Sequence, residues 1–105
     1  MPSPEESSSW GTPVEVERRR RILLSLWAYA YERGDQLVDD VVYDREAYLV
    51  DLSIDTGHPV LDKWFRENYL AYTGQWVAGH PEKDKLEALY LRTKALRAGQ
   101  TTGIL

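Results

Sequence analysis

Helix signals at regular intervals constrain this chain more than any other feature of its sequence. Apolar residues recur every three or four positions, and a proline stands at the expected start of three segments, Pro13, Pro59 and Pro81. Proline suits the first turn of a helix because its missing N–H would have no partner there. A glycine, which favours the C-terminal end of a helix, follows each of these segments. No segment alternates convincingly between apolar and polar residues, so we do not expect a β-sheet.

We therefore predict an all-α fold, a compact single domain of about four helices. Thr12 and Glu15 have the spacing of a capping box at the start of the first helix. Residues 1–11 are rich in Ser, Pro and Glu and are predicted to be a disordered lead-in. Residues 99–105 are predicted to be a flexible tail, so the domain spans 12–98. The predicted helices span about 13–34, 40–51, 59–72 and 81–98.

A chain of 105 residues with 43% hydrophobic residues can bury a modest core. The helical spacing predicts which side chains face that core. They are Leu23, Leu26, Trp27 and Ala30 in the first helix, Val42, Leu49 and Val50 in the second, Leu61, Trp64, Phe65 and Tyr69 in the third, and Leu86, Leu89, Tyr90 and Leu96 in the fourth.

The composition excludes several classes of protein. The sequence has no cysteine, so it cannot form disulfides or thiolate metal sites. The longest mostly apolar run, Ile22 to Tyr31, is about half of the ~20 residues that cross a bilayer, and no membrane helix is expected. The first ten residues lack the basic and apolar regions of a signal peptide. We therefore expect a cytoplasmic protein.

Four consecutive arginines, Arg18 to Arg21, are the most basic feature of the chain. Successive helical residues point in different directions, so we interpret them as a solvated helix turn with Glu15 and Glu17 as nearby partners. Nucleic-acid binding by these arginines with Arg33 and Arg45 is the alternative. A net charge of −4 makes it less favourable, because such binding depends on neutralising phosphates.

Two tyrosines and two aspartates form the strongest candidate binding site. In the second predicted helix, Asp40, Tyr43 and Asp44 share one face because they are three and four positions apart. Tyr31 stands at the end of the first helix. Tyrosine rings stack on flat aromatic ligands, and aspartates accept hydrogen bonds from amides or hydroxyls. The four residues therefore predict a site for a polar aromatic ligand.

The stretch from Ala28 to Asp51 resembles the N-terminal helical lobe, called Ia, of bacterial NAD-dependent DNA ligases. The shared pattern is a Tyr-x-Tyr helix end, an acidic link and Asp-x-x-Tyr-Asp-Arg. That lobe holds the nicotinamide mononucleotide half of NAD. The resemblance implies that Tyr31 and Tyr43 stack on the nicotinamide, and that Asp40 and Asp44 hold its nucleoside.

The resemblance implies a helical hairpin over residues 13–51. Where the ligase lobe has a histidine after its first stacking tyrosine, this sequence has Glu32, and its link is about one residue shorter. Later segments resemble small phage proteins that are related to DNA ligase. These segments are DTGH at 55–58, WFR at 64–66, TGQW at 73–76 and HPE at 80–82.

These resemblances imply a small, non-catalytic, phage-encoded protein that binds nicotinamide mononucleotide or NAD and acts in DNA metabolism. We expect no ligase activity, because KDKL at 83–86 is not the Lys-x-Asp-Gly motif of the adenylated lysine. The alternative is a protein-interaction module, such as an inhibitor of a host enzyme of DNA metabolism or defence. In that case Tyr31 and Tyr43 simply close the seam between the first two helices.

The two histidines, His58 and His80, each precede a proline at a predicted helix start. A metal pair or a general base is one interpretation. Their spacing matches no compact metal motif, so we favour a capping or packing role for both.

Overall fold

Helix α1, Pro13–Glu32, lies at the centre of the fold. The computed structural model describes residues 11–97 of the chain. The predicted capping box is present: the Thr12 hydroxyl accepts the Glu15 N–H at 3.2 Å, and the Glu15 carboxylate accepts the Thr12 N–H at 3.1 Å. Gly34, with φ of +82°, takes the left-handed conformation that follows many helix ends.

Three further α-helices and one short 3-10 helix complete the architecture. They are α2 (Asp40–Leu49), α3 (Pro59–Asn68), the 3-10 helix (Gln75–Gly79) and α4 (Lys83–Arg97). The residues that the structure describes contain no strand, and the predicted all-α fold is confirmed. Within this part of the chain, no helix is both long and apolar enough to span a membrane. The predicted lead-in at 1–11 and tail at 99–105 fall outside the described residues, apart from Gly11.

The core forms around α1 because α2, the 3-10 helix and α4 all pack against it. Its larger cluster contains Leu24, Ala28, Ala47, Phe65, Trp76, Val77 and Leu86. A smaller cluster on another side of α1 contains Leu26, Ala30 and Leu37. Several aromatic residues meet here, where the Trp76 ring lies 5.5 Å from Phe65 and 5.0 Å from Tyr69.

Some predicted core positions are wrong. Leu23, Leu49 and Leu96 are all exposed, at 37%, 52% and 51%. In α1, packing from several directions buries Leu24 and Ala28 instead of Leu23. Leu49 is the last residue of α2, and the next residue packs against the core in its place.

The predicted α2 and α3 extend too far. Residue Val50 follows α2 in an extended conformation, and the N–H of Asp51 donates to the Glu17 carboxylate at 3.2 Å instead of continuing the helix. After α3, Tyr69 is also extended, and its hydroxyl donates to the Ala47 carbonyl at 2.7 Å. The early end of α3 releases residues 70–74 as a loop that crosses the α1–α2 hairpin.

The predicted fourth helix starts too early, at Pro81. The His80 ring accepts the backbone N–H of Glu82 through Nδ1 at 3.0 Å, which holds these residues in a turn. The helix α4 therefore begins at Lys83. The loop before it contains the 3-10 helix.

Arg21 is buried, and the prediction that all four arginines form a solvated turn is wrong. Its guanidinium donates to Glu17 Oε2 at 2.7 Å and to Asp62 Oδ1 at 3.0 Å. It also donates to the backbone carbonyls of Asp51 and Ile54. Arg21 therefore joins α1 to α3 and to the loop between α2 and α3, and we call the four side chains of Glu17, Arg21, Thr56 and Asp62 the Arg21 network.

The carboxylates of the Arg21 network are equally well paired. Asp62 accepts the Thr56 N–H at 2.9 Å and the Thr56 hydroxyl at 2.6 Å. Burial alone would raise the pKa of Asp62, but the bonds from Thr56 and the charge of Arg21 together hold that pKa below its usual value. Glu17 accepts a further bond from Arg20 at 3.0 Å. Each charge in this buried network has partners inside the protein.

Candidate functional site

A cavity of about 270 Å³ lies between the end of α1, the start of α2 and the loop at 70–74. We call it the tyrosine cavity because three tyrosines, Tyr31, Tyr43 and Tyr72, belong to its wall. The other lining residues are Trp27, Ala28, Gln36, Leu37, Val38, Asp40, Asp44, Thr73 and Gly74.

All four residues predicted from the sequence line this one cavity. Tyr31 lies in the last turn of α1 and is 58% exposed. Asp40 is the first residue of α2, and Tyr43 and Asp44 follow one turn later on the same face. The link from residue 33 to residue 39 turns the chain back, which brings Tyr31 opposite α2. The structure therefore brings the four side chains together, and their role in binding stays a prediction.

Tyr43 is half-buried, and its hydroxyl reaches the loop at 70–74 across the cavity. Its hydroxyl donates to the Thr73 carbonyl at 3.5 Å. Burial raises the pKa of Tyr43, and the nearby Trp76 indole N–H opposes that rise. The Trp76 N–H has no hydrogen bond of good geometry within the described residues, although it approaches this hydroxyl. Tyr43 therefore stays protonated at neutral pH as a fixed wall of the cavity.

The two aspartates are exposed and have few partners. Asp40 accepts one hydrogen bond, from the Gln36 side chain at 3.3 Å. Within the described residues, no hydrogen bond or ion pair to the Asp44 carboxylate is found. A carboxylate has about four acceptor positions, so both can accept hydrogen bonds from a ligand.

Tyr72 is a lining residue that the sequence analysis missed. It is 74% exposed, and no hydrogen bond holds its hydroxyl among the described residues. The prediction placed it inside the third helix, which would have carried it away from α1. Because α3 ends at Asn68, the loop returns to the hairpin and Gly74 packs against Ala28. A β-carbon at Gly74 would lie 3.1 Å from that of Ala28, so a small residue is needed there.

A second cavity, of about 410 Å³, lies between α1, the start of α3 and α4. Its wall is mainly apolar, with Ile22, Leu61 and Leu86 among its residues. Its buried charges, Arg21 and Asp62, belong to the Arg21 network and already have partners. This cavity is larger, but the two buried charges in its wall are already paired inside the protein.

Both histidines cap or pack, as the sequence predicted. His58 accepts the Leu61 N–H at 3.3 Å at the start of α3. The His80 ring lies 5.1 Å from the Trp64 ring, and burial lowers the pKa of His80 below its usual value. Within residues 11–97, no group of three or more metal-binding side chains is close enough to hold an ion.

The chain matches no protein-family model, no curated protein and no solved structure. The resemblance to the ligase lobe therefore stays a prediction from the sequence.

Proposed function

We propose that this protein is a non-catalytic binding protein for nicotinamide nucleotides, with the tyrosine cavity as its site. In this proposal Tyr31 and Tyr43 stack on the nicotinamide ring. The carboxylates of Asp40 and Asp44 accept hydrogen bonds from its carboxamide and ribose. On the same resemblance, we propose that the protein is phage-encoded and acts in DNA metabolism by holding this ligand.

One observation carries the proposal. The four residues that resemble the nucleotide-binding residues of the ligase lobe all line one cavity, although nine positions separate the first from the second along the chain. A seam closed only for packing would leave no space between them. The tyrosine cavity has open space, two exposed tyrosines and two carboxylates with unused acceptor positions.

Isothermal titration calorimetry with nicotinamide mononucleotide tests the proposal. We expect saturable heat from the wild type and about tenfold weaker binding by the Tyr31→Ala variant, since one stacking partner is lost. Tyr31 is 58% exposed, so its removal should leave the fold intact.

The matched control is Tyr48→Ala. Tyr48 is 66% exposed on α2 but does not line the cavity. This variant should bind as the wild type does. If a folded wild-type protein gives no heat with the mononucleotide or with NAD, the proposal is wrong.

A second candidate function is protein interaction through α2. Val41 and Tyr48 are exposed at 74% and 66% and lie seven residues apart, with Asp44 between them on the same face. This exposed apolar and acidic stripe suits a partner such as a host enzyme of DNA metabolism or defence. The double variant Val41→Ser, Tyr48→Ser should lose such a partner in a quantitative binding assay and keep nucleotide binding.

A further inference from the structure

The two charged side chains that line the tyrosine cavity are both acidic. Among the described residues that line it, Asp40 and Asp44 are acidic and none is Lys, Arg or His. The neighbouring Glu32 is also exposed. Arg45 is the closest cation along α2, and it pairs with Glu46 at 3.6 Å instead of with either aspartate. A ligand in this cavity therefore contacts carboxylates and no cationic side chain among the described lining residues.

The aromatic wall also favours a positively charged ligand. Tyrosine rings attract cations through their electron-rich faces, and the attraction grows when water is excluded. Tyr31, Tyr43 and Tyr72 surround the cavity, and each belongs to a different segment of the chain. Tyr31 and Tyr72 have no internal hydrogen bond through their hydroxyls among the described residues, so their rings can adjust to a ligand. Three tyrosines and two carboxylates together suit a flat organic cation.

The size of the cavity suits a single nucleoside. Pockets for drug-sized ligands usually measure ~300 to 1,000 Å³, and this one measures about 270 Å³. A ring with its ribose fills such a space. A phosphate, or the second nucleotide of NAD, would have to lie at the acidic mouth, where no described lining residue is a cation.

We propose that the tyrosine cavity selects the positive charge of the nicotinamide ring, and that it prefers the nucleoside, nicotinamide riboside, to its phosphorylated forms. This inference rests on the proposed function and names the part of those nucleotides, the nicotinamide nucleoside, that the cavity recognises. A nicotinamide joined to ribose carries one positive charge, which the reduced ring lacks. The cavity therefore distinguishes the oxidised ring from the reduced ring, and the free nucleoside from the mononucleotide.

Calorimetric titrations with three ligands test the inference. Nicotinamide riboside has the charged ring, reduced nicotinamide riboside has the same ribose and no ring charge, and nicotinamide mononucleotide adds a phosphate. We expect the riboside to bind about five to ten times more tightly than either of the others, as expected for one charge interaction near a protein surface.

Two variants connect the preference to the carboxylates. The double variant Asp40→Asn, Asp44→Asn should keep the cavity and lose most of the difference between the three ligands. The control Asp39→Asn removes one carboxylate charge next to the site, from a residue that neither lines the cavity nor bonds the helix end. It should keep the preference.

The outcomes separate the inference from the proposed function. Equal or tighter binding of the mononucleotide would overturn the inference and support the proposed function. Equal binding of the reduced riboside would also overturn the inference. The absence of binding by all three ligands would overturn both.

Discussion

The Arg21 network and the tyrosine cavity use charged residues in opposite ways. In the network, Glu17, Arg21 and Asp62 are each less than 5% exposed and pair with one another or with the backbone. In the tyrosine cavity, Asp40 and Asp44 are exposed, and only Asp40 accepts a hydrogen bond from a described residue. Polar groups that satisfy one another inside the protein stabilise the fold, whereas those with unused capacity can bind a ligand.

This contrast gives the two regions different sensitivities to mutation. A change in the Arg21 network removes a partner from a buried charge, which costs stability. A change at the tyrosine cavity removes a group that faces water, which costs little stability and changes binding. Each of the following predictions tests one side of the contrast.

The largest expected effect is the loss of Arg21. The variant Arg21→Met keeps an unbranched side chain but removes the guanidinium that pairs with both buried carboxylates, and Asp62 then keeps only its hydrogen bonds from Thr56. We expect the free energy of unfolding to fall by about 3 to 5 kcal/mol, measured by urea denaturation. The control is Arg45→Met, at an arginine whose side chain is 62% exposed. This variant should change the free energy of unfolding by less than about 1 kcal/mol. Equal effects of the two variants would show that the network does not stabilise the fold.

The next largest effect concerns the packing that closes the tyrosine cavity. In Gly74→Ala the new methyl group would lie 3.1 Å from the Ala28 side chain, so α1 and the loop would have to shift by a few tenths of an ångström. We expect a loss of about 1 to 3 kcal/mol in the free energy of unfolding. At Gly79 a β-carbon would lie 3.8 Å from Trp64, an ordinary contact, and Gly79→Ala should cost much less. A stable Gly74→Ala variant would show that this contact is loose.

A smaller effect is the acid sensitivity of the Arg21 network. Since the pKa of Asp62 lies below its usual value in the folded protein, its carboxylate stabilises the fold above the pKa of an unfolded aspartate. That contribution is lost as the pH falls through the folded pKa. The stability of wild type should therefore decline below about pH 4 more steeply than that of Asp62→Asn. If the urea midpoints of the two proteins fell equally between pH 7 and acid pH, this prediction would be wrong.

The smallest effect on stability is expected at the tyrosine cavity. Tyr31→Ala and Asp44→Asn each change an exposed side chain, and we expect the free energy of unfolding to stay within about 0.5 kcal/mol of wild type. Thermal denaturation by circular dichroism measures this. A loss as large as that of Arg21→Met would mean that these side chains hold the hairpin together, and the contrast between the two regions would fail.

The helix starts were largely predictable because their signals are local. The capping box at Thr12 and the proline at Pro59 act within one turn, so the sequence alone indicates where α1 and α3 begin. The ends of α2 and α3 depend on distant partners instead. Glu17 binds the backbone after α2, and Ala47 accepts the hydroxyl of Tyr69. Such long-range bonds leave no periodic signal in the sequence.

The arrangement of the candidate site was only partly predictable. Asp40 and Tyr43 share a helix face by their spacing alone, but Tyr72 reaches the cavity only because α3 ends early. The buried arginine was missed because a run of four arginines was treated as one unit. Arg21 stands three positions before Leu24, on the stripe that enters the core, and that spacing would have indicated its burial.

The most direct test of the central claim is an NMR titration of the isotope-labelled protein with nicotinamide mononucleotide and nicotinamide riboside. Our account predicts that backbone amide signals change at Tyr31, at residues 36–44 and at residues 72–74, which surround the tyrosine cavity. Signals around Leu61 and Leu86, at the second cavity, should stay constant. No change with either ligand, or changes confined to the second cavity, would contradict the assignment of the tyrosine cavity as the binding site.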